Sequence, residues 1–404
     1  MSKTNTNPKQ IDEILDRGTI VEILPTKKEF REKLLSGEKL KFYIGFDATA
    51  PTLHLSHAKN FMLMEKFRKL GHEVIVLFGD FTARIGDPTG ENSARKQLSR
   101  EDVTRNVKKW KKLIEPLMDF EDSKNPPKIM YNNDWLAKLT LEDVIGLAGN
   151  FTVQQMLERD MFQKRIKENK PIHLHEFLYP LMQGYDSVAM DVDVEMCGTD
   201  QTFNALTGRT LLKKLKGKEK FVVAVTLMEN PKTGELMSKS KGTGVFLNTT
   251  ANDMFGQIMA EPDEMMEILF VNNTNLSLEE IKKLIGSDNP RDTKAKLARE
   301  IVAIYHGKKE AENAEEEFNK IFRDKKKPTD IPEMKLEIRN WKLVDLLYEL
   351  KIVSSKGEAR RLIQQGGVKI DDTVQKDFEK EIEVKNGMVV QVGKRRFVKI
   401  KINC

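Results

Sequence analysis

Apolar positions follow two rhythms along this chain. Phe42-Tyr43-Ile44-Gly45-Phe46 is a continuous aromatic and β-branched run, the make-up of a strand. From His54 to Leu70 the apolar positions Leu55, Ala58, Met62, Phe67 and Leu70 recur at helical spacing, and Gly71 ends the pattern. Glu73 to Gly79 returns to a continuous apolar run. Strand, helix and strand in that order form a βαβ unit, whose crossover makes its strands parallel. Lys128–Tyr131, Val194–Cys197 and Phe221–Thr226 predict further strands with helical stretches between them. The alternation predicts an α/β fold, a doubly wound parallel sheet over about residues 35 to 240. The first 35 residues read as helices leading into it.

Beyond Asn252 the strand pattern stops. Met- and Glu-rich amphipathic stretches predict a helical domain over 245–330, after a first domain over 1–240. The run Lys325-Lys326-Lys327-Pro328 through Pro332 reads as the approach to a linker, placed at 331–340. Residues 341–404 predict a third, α+β unit. It has a helix over about Lys342–Leu350 and another opening at Ser355, with Glu358 at capping-box spacing. That second helix stops at Gly366-Gly367. Short strands come next, with turns at Asp371-Asp372 and Asn386-Gly387.

Composition narrows the classes. The chain has 404 residues, more than one compact core of about 250–300 residues holds. Its longest apolar runs, such as Val74–Phe78, fall far short of the roughly 20 residues of a membrane span. Met1 to Gln10 is polar and lacks the apolar region of a secretory signal. The 2 cysteines, Cys197 and Cys404, form no CxxC, which excludes a disulfide scaffold and a cysteine zinc site and points to the reducing cytoplasm. Net charge is +6, and most of it lies after residue 340: 14 Lys/Arg stand against 9 Asp/Glu there. A basic tail on a nearly neutral body suits a polyanion, although a solvated charged face would read the same way.

Two nucleotide fingerprints are missing: no G-x-G-x-x-G succeeds the first strand, and no G-x-x-x-x-G-K-[ST] occurs anywhere. The first strand leads instead into Gly45-Phe46-Asp47-Ala48-Thr49-Ala50-Pro51-Thr52-Leu53-His54-Leu55-Ser56-His57. This stretch sets two imidazoles three residues apart on a helix start, where free N–H groups and the helix dipole favour an anion. Gly45 lets a ligand approach the backbone. No third ligand completes a metal site. Farther on, Gly234-Glu235-Leu236-Met237-Ser238-Lys239-Ser240-Lys241-Gly242-Thr243-Gly244 sets a lysine between serines in a glycine-flanked loop, able to close over a polyphosphate.

These two elements resemble the paired HIGH and KMSKS signatures of the class I aminoacyl-tRNA synthetases, as His54-Leu55-Ser56-His57 and Leu236-Met237-Ser238-Lys239-Ser240. From about residue 35 to the end, the chain resembles the bacterial tyrosyl members, including a C-terminal unit similar to S4-like RNA-binding domains. Tyr43-Ile44-Gly45-Phe46-Asp47, Ile85-Gly86-Asp87-Pro88-Thr89-Gly90, Tyr179-Pro180-Leu181-Met182-Gln183-Gly184-Tyr185-Asp186 and Gly198-Thr199-Asp200-Gln201 carry that likeness.

The resemblance implies a ligase that activates L-tyrosine with ATP and transfers it to tRNA(Tyr). It implies Tyr43 and Asp186 at the substrate hydroxyl, and Asp87, Tyr179, Gln183 and Gln201 around its ammonium group. Gly45, Asp47, His54, His57, Asp200 and Lys239 are implied at ATP, with Thr49, His54, His57, Lys239 and Ser240 as the catalytic set. Lys356, Arg360, Arg361, Lys394, Arg395 and Arg396 are implied at RNA. Magnesium would come with ATP, with no prosthetic group, and a homodimer is implied. Three residues depart from the pattern: Leu236 replaces a loop lysine, Ser56 a glycine, and Glu91 stands where some relatives have lysine. The alternative they leave open is a non-catalytic RNA-binding protein on the same fold.

Overall fold

The computed structural model of the protein describes residues 4–87, 98–237, 244–287, 289–322, 331–337, 339–393 and 396–402. It divides into two compact units, Met1–Lys308 and Lys309–Cys404.

The first unit is built on six strands: β1 (Ile20–Leu24), β2 (Lys41–Phe46), β3 (Glu73–Phe78), β4 (Lys128–Tyr131), β5 (Val194–Gly198) and β6 (Phe221–Val225). Their order across the sheet is β1-β6-β5-β2-β3-β4. The strands β2 to β6 pair in parallel and β1 runs antiparallel along the edge. In β3, Val74 to Phe78 are all buried, as expected of a parallel strand covered on both faces. Chain order reverses between β2 and β5, which opens a crevice at their carboxyl ends.

The first 35 residues differ from expectation. Two short helices, Pro8–Leu15 and Lys27–Leu35, flank β1 instead of continuing a helical lead. Ile20-Val21-Glu22-Ile23-Leu24 holds three β-branched residues in five, and its strand state is fixed by pairing with β6 some 200 residues later. The helices between Ala251 and His306 also belong to the first unit rather than to a domain of their own. Arg17 donates to the carbonyls of Val271 and Thr274, both at 2.8 Å, and Asn273 Nδ2 donates to the Leu55 carbonyl at 2.9 Å.

In the second unit, the stretch expected as a linker contains β7 (Glu333–Leu336) and the start of β8 (Asn340–Lys342). β7 pairs in parallel with the last strand, β13 (Arg396–Ile402), so a short run with little signal of its own is held by a distant partner. With β9 (Val368–Ile370), β10 (Thr373–Gln375) and β12 (Val389–Val392) they form a sheet in the order β10-β9-β12-β13-β7, while β8 pairs with β11 (Glu381–Glu383). Asp371 and Asp372 turn β9 into β10 with φ of 43° and 69°, a left-handed pair that short acidic side chains tolerate. Ser355 caps the Lys356–Gln364 helix by accepting from the Glu358 N–H at 3.1 Å. Leu346, Leu347, Ala359, Ile363, Val368 and Val390 are fully buried in this unit's core.

The helix Leu55–Lys69 carries the two histidines at its start, and a buried ion pair anchors its far end. Arg68 donates to both oxygens of Glu65 at 2.7 and 2.8 Å and also binds Asp122. Arg68→Met strands the Glu65 charge and should cost about 3–5 kcal/mol in a denaturant titration. Adding Glu65→Leu should recover part of that loss, because no lone buried charge then remains.

Candidate active site

A cavity of about 330 Å³ fills the crevice at the carboxyl ends of β2 and β5. Each residue that the sequence placed at the amino acid lines it: Tyr43, Asp87, Tyr179, Gln183, Asp186 and Gln201. Gly45, Asp47, His57 and Asp200 line it as well. β2 delivers Tyr43 to Asp47, and the helix His175–Met190 delivers Tyr179, Gln183 and Asp186 at spacings of four and three, which share one face.

Several of the polar wall residues are held by neighbours. At one end, Asp186 is buried and accepts from Trp135 Nε1 at 2.7 Å and from Asn132 Nδ2 at 3.3 Å. Burial holds its carboxyl well above the usual range, against the pull of those two donors. Tyr43 is buried and its hydroxyl lies 3.0 Å from Ser187 Oγ. At the other end, Gln201 Nε2 donates to Asp87 at 2.7 Å, and Asn204 Nδ2 bridges Gln183 and Gln201 at 2.9 and 2.8 Å.

Asp47 accepts from Tyr179 at 3.0 Å and from Thr82 at 2.6 Å. Burial raises its pKa to about 7. Gly79 is required beside it, since a Cβ there would meet Asp47 Oδ1 at 2.1 Å and Thr82 Oγ1 at 2.3 Å. At Gly45, by contrast, a Cβ would make only ordinary contact with Leu77 at 3.8 Å, so the protein itself does not demand glycine there.

The helix-start residues divide. His57 reaches the cavity, whereas His54 caps the helix and is 5% exposed outside the lining. The two rings lie 4.1 Å apart, and the His54 N–H donates to His57 Nδ1 at 3.5 Å. Thr49 is exposed and does not line the cavity. Lys239 and Ser240 lie outside the described residues. The segment from Val245 to Leu247 abuts the histidines: Leu55 N–H donates to Val245 O at 3.0 Å and Leu247 N–H to Leu53 O at 2.9 Å.

Five carboxylates line the cavity, Asp47, Asp87, Asp186, Glu195 and Asp200. Such a wall suits an ammonium group and a hydroxyl but repels a bare triphosphate. Lys59 offsets part of this charge. It is 2% exposed and lines the cavity near Asp200, and burial lowers its pKa to about 7. Among the described residues no group of three or more His, Cys, Asp or Glu is placed to hold a metal ion.

Sequence reasoning missed Lys59, Thr82, Asn132, Trp135, Ser187, Glu195, Asn204 and Lys220. Asn132 and Trp135 had a signal, a polar-aromatic run directly after the end of a parallel strand. The others hide inside helix and strand patterns.

Among the expected RNA residues, Lys356 pairs with Asp345 at 2.7 Å, and Arg360 and Arg361 are exposed on the same helix. Arg396 is engaged within the unit, donating to Glu358 at 3.0 Å and to the Ile352 carbonyl at 2.8 Å. Lys394 and Arg395 lie outside the described residues.

Comparison with known proteins agrees with this geometry. Residues 35–323 match the family model described as tRNA synthetases class I (W and Y). Residues 323–400 match the Tyrosine--tRNA ligase SYY-like C-terminal domain. A Tyrosine--tRNA ligase of Geobacter sulfurreducens is 45% identical over 398 residues, covering 96% of this chain and 97% of its own. A Tyrosine--tRNA ligase of Moorella thermoacetica is 42% identical, covering 96% and 94%. A solved mitochondrial tyrosyl-tRNA synthetase of Coccidioides posadasii shares the fold at TM-score 0.62 and 24% identity, over 76% of this chain and 91% of its own. With both models spanning nearly the whole length and relatives this close, the chain belongs to the tyrosyl-tRNA synthetases of class I.

Proposed function

We propose that this chain is a tyrosine–tRNA ligase that forms tyrosyl-adenylate from L-tyrosine and ATP and passes the tyrosyl group to tRNA(Tyr). The observation that carries this reading is the polarity of the cavity's two ends. A phenol both donates and accepts, and Tyr43 with Asp186 offers it both partners. The Asp87 carboxylate, held by Gln201, suits an α-ammonium group, with Tyr179 and Gln183 beside it. Phenylalanine would leave the buried Tyr43–Asp186 end unsatisfied, and the tyrosyl enzymes are themselves the standard illustration of that penalty.

In the first step a carboxylate oxygen of tyrosine attacks the α-phosphorus of ATP in line. The bond to the bridging oxygen breaks and pyrophosphate leaves with the electron pair. No protein nucleophile is needed, so catalysis is positioning plus stabilisation of phosphate charge. Thr49 and His54 serve the γ-phosphate side, while His57, Asp47, Gly45 and Asp200 hold the nucleoside. Lys239 and Ser240 close on the pyrophosphate. Magnesium arrives with ATP as part of the substrate and offsets the repulsion of the acidic wall. In the second step a ribose hydroxyl at the tRNA 3′ end attacks the adenylate carbonyl and AMP leaves.

RNA contacts fall to Lys356, Arg360, Arg361 and the Lys394-Arg395-Arg396 run, with the helices from Ala251 to His306 near the anticodon. We place the protein in the cytoplasm. Among the described residues no helix is long and apolar enough to cross a membrane. A homodimer is supported by apolar exposure concentrated in one stretch of chain, at Leu141 (75%), Ile145 (63%), Val153 (66%) and Leu174 (80%).

Exchange of labelled pyrophosphate into ATP should require tyrosine among the standard amino acids; exchange driven by another amino acid refutes the specificity, and none at all favours the RNA-binding alternative. Asp186→Ala should lower kcat/KM for tyrosine by about 10²-fold while changing it little for phenylalanine. Ile145→Asp should convert dimer to monomer in light scattering.

A further inference from the structure

Behind Tyr43 the cavity wall holds a buried charged pair that the reaction above does not use. The pairing of β2 with β5 sets Tyr43 directly opposite Glu195. Lys220, just ahead of β6, forms an ion pair with Glu195, and the two side chains are 0% and 2% exposed. Lys220 Nζ also donates to Ser187 Oγ at 2.8 Å. Ser187 is fully buried and comes directly after Asp186 on the same helix. Room for this contact comes from Gly208, where a Cβ would meet Lys220 Nζ at 2.7 Å and Ser187 Oγ at 2.8 Å.

The donors and acceptors can be counted. An ammonium group only donates, so Ser187 Oγ is an acceptor toward Lys220. The single Ser187 proton then goes to Tyr43, 3.0 Å away, or to Glu195, 3.3 Å away. Glu195 also takes Lys220 and Gln183 Nε2, the latter at 3.3 Å, so Ser187, Lys220 and Glu195 form one network behind Tyr43. Tyr43 therefore has two buried partners on this side, Ser187 and the Glu195 carboxylate, which together fix where its hydroxyl sits.

We propose that Ser187, oriented by the buried Lys220–Glu195 pair, is a positioning residue that fixes the Tyr43 hydroxyl where it meets the substrate hydroxyl. Asp186, fixed by Trp135 and Asn132, supplies the acceptor. Lys220 has a second effect: it balances the charge of the Glu195 carboxylate that Tyr43 also faces. This inference rests on the assignment of Tyr43 to the tyrosine hydroxyl.

The test is the ratio of kcat/KM for tyrosine to that for phenylalanine in pyrophosphate exchange. It is measured on the full chain for Ser187→Ala, Tyr43→Phe and the double variant. Ser187→Ala should lower the ratio by about tenfold through the tyrosine KM, with the ATP KM unchanged. In the Tyr43→Phe background it should add no further loss, because its route runs through Tyr43. An equal loss in both backgrounds overturns the proposal, as does an unchanged ratio in Ser187→Ala when Tyr43→Phe lowers it. If Tyr43→Phe itself leaves the ratio unchanged, the Tyr43 assignment falls and the inference with it. Should Ser187→Ala fail to fold, Glu195→Gln with Lys220→Met gives the same readout without a lone buried charge. A several-fold fall confined to the Tyr43 background supports the proposal, and no fall refutes it.

Discussion

Parallel pairing of β2 with β5 is the constraint on which the site depends. These strands meet where chain order reverses, so the helices after them leave on opposite faces and a gap opens at their ends. Register does the rest. It sets Tyr43 against Glu195 and Ile44 against Met196, and carries Gly45 and Gly198 to the rim. A shift of one residue would turn Tyr43 to the other face of the sheet. The helices His175–Met190 and Thr202–Lys216 close the cavity's side by approaching through Gly184 and Gly208. A Cβ on Gly184 would lie 3.1 Å from the Gly208 backbone nitrogen.

The proposed reading asks one cavity to take a zwitterion and a nucleotide. Its carboxylates favour the ammonium and phenol of an amino acid and oppose phosphate. Lys59 and His57 are the cationic or polar counterweights within the described lining. Leu236 stands 43% exposed where the resemblance to the KMSKS signature implies a lysine, so one expected positive charge is missing from the protein's side of the phosphate balance. Lys59 is buried within the wall itself, and its proximity to Asp200 keeps part of its charge despite desolvation.

Much of this was legible in the chain. β2 to β6 come from apolar runs, and the capped helix at Ser355 comes from its spacing. The cavity-lining residues Tyr179, Gln183 and Asp186 come from a motif whose spacing the helix preserves. The elements that escaped have a common cause. β1 and β7 are short strands whose state is decided by partners far away in sequence, β6 and β13. Ser187, Glu195 and Lys220 each look ordinary in their own element, and only the fold brings them together. His54 occupies the N-cap position of its helix, while His57, three residues on, faces the cavity.

On the proposed reading, the sealed Lys220–Glu195 pair separates the two halves of the reaction by their response to salt. Dissolved ions do not reach side chains that water barely touches, so the choice of amino acid is made beyond the range of screening. The exposed lysines and arginines of the C-terminal unit meet the solvent, where phosphate contacts weaken steeply as counterions accumulate. If those residues hold RNA as proposed, rising ionic strength loosens the nucleic acid first, leaving an enzyme that still selects and activates its amino acid but delivers it less often.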